Sequence, residues 1–242
     1  MDRYYEANEK VSGYSVLKLL GEGRYGIVYL AENDKKQKCI IKQLKNEMLV
    51  EAKEKLIYEE QTLQKLKDVD NQKFPKFLSK FKDEHSEGYL MEYIEGRVFE
   101  DILAKERYKF AKEEIYKIGS KILELVEILH SYNIVHRDIR LPNVILKENN
   151  QLALIDFGLA RFINNKRYVR QSDYWYISDF LIHLYYTTFE VAEENLPERP
   201  WFEELDLTAQ EKIFLKKLMG IEGNFDNIKE IKEQLEKIKN AI

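Results

Sequence analysis

Apolar and polar positions change their period part-way along the chain. Residues 14–20, 27–30 and 39–42 are short β-type apolar runs, separated by a glycine cluster and by the polar stretch 33–36. Runs of this kind, bounded by turn residues, predict three antiparallel strands. Residues 47–66 then read as a charged helix, and residues 77–81 and 89–94 as two further strands. Beyond Gly96 the period becomes helical. Ile115, Ile118, Ile122, Leu125 and Leu129 recur at spacings of three and four, which is one face of a helix. Short apolar pieces follow at 144–146 and 152–155, with helices expected over 179–188, 208–219 and 226–240. The last of these carries Ile228, Ile231, Leu235, Ile238 and Ile242 on one face. Two heptads are too few to argue a coiled coil, so that stripe is expected to face a core. The pattern as a whole predicts an α+β chain, with a small antiparallel β-sheet lobe carrying one long helix (residues 1–94) and a mainly helical lobe (residues 95–242).

Composition narrows the class without changing this picture. At 242 residues the chain can bury a core without disulfides or a structural metal. Only 10 glycines and 4 prolines interrupt it, so long unbroken elements are expected. Lys and Arg total 39 against 43 Asp and Glu, a net charge of −4 that gives no bulk attraction to nucleic acid or to anionic membranes. The single cysteine, Cys39, cannot form an internal disulfide. No stretch reaches 18 apolar residues and no hydrophobic leader opens the chain, so a cytoplasmic location is the expectation.

Four clusters carry chemistry. Gly21-Glu22-Gly23-Arg24-Tyr25-Gly26-Ile27-Val28 fits G-x-G-x-x-G-x-V, where missing Cβ atoms let backbone amides approach phosphate oxygens. A strand-like run follows it rather than a helix, which favours a phosphate flap over a dinucleotide-binding turn. Lys42 closes an apolar strand and needs an anionic partner. Glu59 shares a helix face with Leu63 and Leu66 and would point inward, while Glu60 is the neighbouring alternative. His136-Arg137-Asp138 with Asn143 fits H-R-D-x-x-x-x-N, expected by chance only about 0.002 times in a chain of this length. An Asp there can take a proton from an attacking hydroxyl, and an Asn carbonyl oxygen can ligate a divalent cation. Asp156-Phe157-Gly158 ends an apolar run 18 residues after Asp138 and supplies a second carboxylate for such a cation.

The ordered set resembles the signature of eukaryotic-type protein kinases, and in its compactness small bacterial Ser/Thr kinases. The resemblance implies a bilobal kinase fold, ATP and Mg²⁺ as cofactors, and transfer of phosphate to protein Ser/Thr hydroxyls, autophosphorylation included. By similarity Gly21, Glu22, Gly23, Tyr25 and Gly26 would cover the phosphates. Lys42 would hold them and Glu59 would orient Lys42. Asp138 would serve as base, with Arg140 nearby, and Asn143 and Asp156 would bind the metal. Val28, Ile40 and Ile145 would enclose the adenine, with Met91 as gatekeeper and Glu92, Tyr93 and Ile94 as the hinge.

Three departures stand out. Arg140 replaces the usual lysine, and Ile40 replaces a small residue facing the adenine. Only 23 residues separate Asp156 from Asp179, the Asp expected to open the next helix. No Ala-Pro-Glu lies between them, and Leu196-Pro197-Glu198 comes too late to serve. The abbreviated lip leaves a small-molecule acceptor, or a nucleotide-dependent switch with little transfer, as alternatives to a protein substrate. Arg161, Lys166, Arg167 and Arg170 make that segment basic, which reads first as a solvated surface loop and alternatively as a dock for an acidic or phosphorylated partner. Tyr168, Ser172, Tyr174, Tyr176 and Ser178 are candidate self-modification sites.

Overall fold

The computed structural model describes residues 2–69, 72–84, 86–190 and 199–241. The chain divides into two compact units, one comprising Met1–Glu95 with Asp156–Leu159 and the other Gly96–Ile155 with Ala160–Ile242.

The first unit is built on a six-stranded antiparallel sheet. Its strands are β1 (Lys10–Val11), β2 (Tyr14–Glu22), β3 (Gly26–Glu32), β4 (Lys38–Leu44), β5 (Phe77–Lys82) and β6 (Glu87–Glu92), in spatial order β1-β2-β3-β4-β6-β5. A 3₁₀ turn at Asn46–Met48 leads into the helix α1 (Leu49–Lys65). Strand alternation sorts the side chains of β3, β4 and β6 onto two faces. Ladder partners share a face, so Val28 opposite Lys42, Lys42 opposite Tyr89 and Ile40 opposite Met91 stand together on one side. The other side is apolar. Ile27, Tyr29, Ala31, Cys39, Ile41 and Leu90 form a buried cluster there with Tyr5, Val11, Val16 and Phe81. Burial pushes the Cys39 thiol up to about 12, so it stays protonated and serves as a small core residue.

The second unit is mainly helical. It contains β7 (Arg97–Val98), α2 (Phe99–Ala104), α3 (Lys112–Ser131), β8 (Ile134–Val135), β9 (Val144–Leu146), β10 (Leu152–Leu154), β11 (Arg161–Phe162), α4 (Gln171–Tyr186), α5 (Trp201–Glu204), α6 (Ala209–Met219) and α7 (Ile228–Lys239). The stripe Ile115, Ile118, Ile122, Leu125 and Leu129 of α3 is buried, each such side chain contributing about 1.5–3 kcal/mol. Gly119 faces two neighbours of α3, and a Cβ there would make ordinary contacts of 3.4–3.6 Å with methyls of Leu235 on α7 and Leu181 on α4. Ile231, Leu235 and Ile238 are buried, so α7 faces the core as its pattern indicates. Ile242 and Leu196-Pro197-Glu198 lie outside the described residues.

The helix expected over 179–188 begins earlier, at Gln171, so Asp179 sits mid-helix. Its apolar residues are spread around the helix, and Asp173 and Ser178 are themselves buried, which removes the one-sided stripe that would mark its start. The link from Asp156 to the next helix is therefore 15 residues, shorter than the sequence pattern suggests.

Glu211 stands in the middle of the second unit's helices. It closes the N-cap of α6 by accepting from Thr208 N at 2.6 Å. The hydroxyls of Tyr116 (2.7 Å) and Tyr185 (3.1 Å) also donate to it, and Lys112 lies 3.3 Å away. Burial raises its pKa, but the bonds from Tyr116 and Thr208 and the charge of Lys112 outweigh that, so it lies below the usual carboxylate range. A folded-state pKa below the unfolded one contributes stability that is present above the ordinary carboxylate range and lost as pH falls through the depressed value. Glu211→Gln is expected to lower unfolding free energy by about 2 kcal/mol at pH 7 and by less at pH 3, measured by urea titration. An equal loss at both pH values would contradict this account.

The glycines of the first hairpin separate by the same reasoning. A Cβ on Gly26 would lie 2.7 Å from the carbonyl oxygen of Gln43, because β3 and β4 approach closely there. Cβ atoms on Gly21 and Gly23 would meet nothing within 4 Å. Gly26→Ala is expected to cost about 1–3 kcal/mol of stability, and Gly23→Ala almost none, by the same titration.

Candidate active site

The first unit gathers charge around one buried carboxylate. Glu59 on α1 is only 1% exposed, beside the buried Leu63 and Leu66 of the same face. Its Oε1 accepts from Lys42 Nζ at 2.9 Å and from the backbone N–H of Phe157 at 3.1 Å. Its Oε2 accepts from the hydroxyl of Tyr89, which faces Lys42 across the β4–β6 ladder. Lys42 Nζ also donates to Asp156 Oδ1 at 3.0 Å. Burial works against the charge of Lys42, but Asp156 and Glu59 outweigh it and hold its pKa well above that of an ordinary lysine. The Tyr89 hydroxyl is pushed up by burial and then by Glu59, so it remains a donor. Lys42 is thus a fixed cation throughout the physiological range.

Asp156 takes a left-handed backbone conformation (φ 62°), a state that Asp tolerates better than most residues. Phe157 anchors the turn. It is fully buried, with its ring edge-on to Phe74 at a centroid distance of 5.8 Å. Asp156 Oδ1 accepts from Gly158 N at 3.3 Å, while the side chain stays 49% exposed. The turn therefore presents a carboxylate already held by Lys42.

The glycine-rich hairpin continues β2 and β3, closed by Gly23 N donating to Gly26 O at 2.9 Å. The open space beside Gly21 and Gly23 is where a phosphate chain could approach the backbone, whereas Gly26 serves the β3–β4 contact. On the same sheet face Val28 and Ile40 are half-buried and Met91 is buried. The N–H of Glu92 is already given to Lys76 O at 2.8 Å, and the Glu92 carboxylate accepts from Lys76 N and from Gln72. Ile94 is buried.

The second unit holds the other cluster. Asp138 is buried, and Arg140 grips its carboxylate through Nε to Oδ1 at 2.5 Å and Nη2 to Oδ2 at 3.2 Å. Asn143 Nδ2 donates to Asp138 Oδ2 at 2.7 Å and to its backbone oxygen at 3.0 Å. With its nitrogen committed to Asp138, the Asn143 side chain has its carbonyl oxygen left for a cation. The Asn143 backbone oxygen accepts from Ile155 N at 3.0 Å, which ties this loop to the end of β10. Ile145 is buried on β9 opposite Ala153, beside Gly96, where a Cβ would lie 2.5 Å from its methyl.

Sequence reasoning missed the residue beneath this loop. Asp173, fully buried in the first turn of α4, accepts from the backbone N–H groups of His136 (3.1 Å) and Arg137 (2.8 Å) and pairs with His130 Nε2 at 2.9 Å. Arg137 has a left-handed φ of 65°, so Asp173 secures a backbone turn that most side chains disfavour. The only available signal was an Asp directly before the apolar run 174–177. Tyr176 on the same helix also feels the charges of Asp138 and Arg140, though burial is the main reason its pKa is raised.

The basic segment is ordered locally. Asn164 Oδ1 accepts from the backbone N–H groups of Lys166, Arg167 and Tyr168 at 2.9–3.1 Å. Arg137 and Arg167 lie over the ring of Tyr168 at 4.9 and 5.5 Å. Arg161 is buried and donates to Ala160 O, so the exposed cations are Lys166, Arg167 and Arg170. No helix among the described residues is long and apolar enough to cross a membrane.

Comparison with known proteins agrees with this geometry. The family model for the protein kinase domain matches residues 14–195. The chain is 31% identical over 235 residues to the probable serine/threonine-protein kinase YbdM of Bacillus subtilis, covering 95% of this chain and 90% of that protein. It is 32% identical over 174 residues to cyclin-dependent kinase-like 1 of Caenorhabditis elegans, covering 70% of this chain and 48% of that protein. It is also 29% identical over 157 residues to serine/threonine-protein kinase B of Synechocystis, covering 61% of this chain and 27% of that protein. The chain thus spans less than half the length of the latter two, but nearly all of the first. With the ordered motifs, the antiparallel sheet and the helical second unit, these matches show that the chain belongs to the protein kinase domain family.

Proposed function

We propose that the chain transfers the γ-phosphoryl group of ATP, with Mg²⁺, to Ser or Thr hydroxyls of proteins, its own included. The observation that carries this reading is the Asp138 carboxylate, buried and oriented by both Arg140 and Asn143. That is how a base needs to be held to meet a hydroxyl proton at a fixed position. In the reaction a bond forms between the acceptor oxygen and phosphorus, the bond from phosphorus to the ADP oxygen breaks, and the hydroxyl proton goes to Asp138.

Lys42, kept charged and pointed by Glu59, would neutralise phosphate oxygens, and the open backbone beside Gly21 and Gly23 would let the hairpin come close to the same anion. On one face of the first unit's sheet Val28, Ile40 and Met91 would offer apolar surface for the base, a role that Ile145 of the second unit would share by similarity. The Glu92 carbonyl and the Ile94 N–H would bond its edge. By similarity the Asn143 carbonyl oxygen of the second unit and the half-exposed Asp156 carboxylate of the first would each serve a hard cation with few protein ligands. No cluster of three or more His, Cys, Asp or Glu is present among the described residues. Magnesium, when bound, supplies charge neutralisation at the phosphates.

The exposed Lys166, Arg167 and Arg170 favour an acidic or already phosphorylated partner. Burial also sorts the self-modification candidates. Ser178 donates from the interior to Leu215 O and Tyr174 is buried, so neither hydroxyl is reachable in the folded protein. Ser172 lies at the edge, donating to Val169 O at 2.7 Å, and is the Ser or Thr candidate within 157–178. A cytoplasmic location is part of this proposal.

Transfer from γ-labelled ATP, with and without a generic protein substrate, tests the reading. Asp138→Asn and Lys42→Met are each expected to lower the rate by about 10²–10⁴-fold. Full activity in either variant would remove its assigned role, and label appearing only in a small product would point to a small-molecule acceptor. Mass spectrometry after incubation with Mg·ATP is expected to find phosphate on Ser172 and none on Ser178 or Tyr174. Modification of Ser178 would contradict the burial argument.

A further inference from the structure

Residues 2–13 precede the range matched by the protein kinase family, yet they are bonded into the first unit at many points. Asn46 N donates to Asp2 Oδ1 at 2.8 Å, and Gln43 Nε2 donates to Arg3 O at 2.7 Å. Tyr5 is buried against Tyr29 with ring centroids 5.5 Å apart, its N–H donating to the Tyr29 hydroxyl and its own hydroxyl to Asp83 Oδ2 at 2.7 Å. Arg3 pairs with Glu9 at 2.5 Å, and Asn8 N donates to Val16 O at 2.8 Å. Gln43 is almost fully buried, so this segment also satisfies an amide that would otherwise be orphaned on the apolar face of the sheet.

Tyr4, between these anchored residues, is different. Its side chain is 47% exposed, and its hydroxyl donates to Glu22 Oε2 at 2.6 Å. Glu22 stands between Gly21 and Gly23, and its other carboxylate oxygen pairs with Lys45. These two partners, Lys45 first and Tyr4 second, keep the Glu22 carboxyl below its usual range, so it is an anion at neutral pH. The far side of the hairpin is held as well. Lys45 N donates to Tyr25 O at 3.1 Å, and Lys55 Nζ of α1 lies 3.5 Å from the centre of the Tyr25 ring.

A hairpin rich in glycine loses much conformational freedom when a ligand orders it. Fixing it beforehand removes part of that cost from the binding step. We propose that residues 2–9 form a strap that presets the glycine-rich hairpin through the Tyr4–Glu22 hydrogen bond, making Tyr4 a positioning residue for nucleotide binding. Tyr4 acts only through Glu22, while residues 2, 3 and 5 set where Tyr4 stands. The inference rests on the reading that this hairpin covers nucleotide phosphates.

The test combines two measurements on wild type, Tyr4→Phe, Glu22→Gln and the double variant. Amide hydrogen exchange over residues 20–27 is followed in nucleotide-free protein, and the Kd for Mg·ATP is measured by calorimetry. Tyr4→Phe keeps the ring and is expected to leave Tm within about 1 °C, since the residue is half-exposed and only a hydroxyl is lost. It is expected to speed exchange across 20–27 and to raise the Kd about three- to fivefold. The double variant should be no worse than Glu22→Gln alone, because both changes remove one interaction. Unchanged exchange and Kd, a tighter Kd, or fully additive effects would each overturn the strap. A wild-type protein that binds no nucleotide would sink the functional reading instead, while exchange would still decide whether Tyr4 holds the hairpin.

Discussion

A carboxylate that is almost completely removed from water is costly unless each oxygen is occupied by a strong donor. Glu59 is such a group. One of its oxygens receives the Lys42 ammonium and the Phe157 amide, and the other receives the Tyr89 hydroxyl. Those donors come from β4, from the turn after β10 and from β6. A single desolvated charge therefore fixes the positions of three chain segments far apart in sequence. Lys42 passes the constraint on to Asp156, whose left-handed backbone and half-exposed carboxylate would have little reason to persist without it. Removing the Lys42 amine would leave Glu59 buried without its cation, so this site and the stability of the first unit are linked.

The second unit applies the same logic with a different buried acid. Asp173 holds the backbone at His136 and Arg137, and that loop delivers Asp138 to Arg140 and Asn143. Glu211 plays a purely structural version of the part, gathering two tyrosine hydroxyls and a helix cap. In each case a short-range motif is usable because a residue remote in sequence supplies a charge-assisted hydrogen bond from inside the fold.

That division explains what could be read from the sequence. The strands between residues 14 and 44, the buried stripe of α3 and the inward face of α7 follow from local period alone. The motif residues are also local, so Lys42, Glu59, Asp138, Asn143 and Asp156 were nameable, and the structure brings Lys42, Glu59 and Asp156 together in one cluster and Asp138 and Asn143 in another. Asp173 was not nameable. Its helix is apolar on most sides and its partners lie 36 to 43 residues away in the chain. Strands of two residues such as β1 and β8 have no period to read. The distinction between Gly26, pressed against Gln43, and the open Gly21 and Gly23 exists only once β4 is in place. The segment of residues 2–9 is largely polar and aperiodic, and its value lies in single bonds to Gln43, Asn46 and Glu22.

The central coupling in this protein is Glu59 acting through Lys42. A double-mutant cycle on the phosphoryl-transfer rate, with Lys42→Met, Glu59→Gln and both together, measures that coupling. The account predicts a large loss in each single variant and little further loss in the double, because each change removes the same oriented cation. Losses that multiply, or a Glu59→Gln protein as fast as wild type, would contradict it.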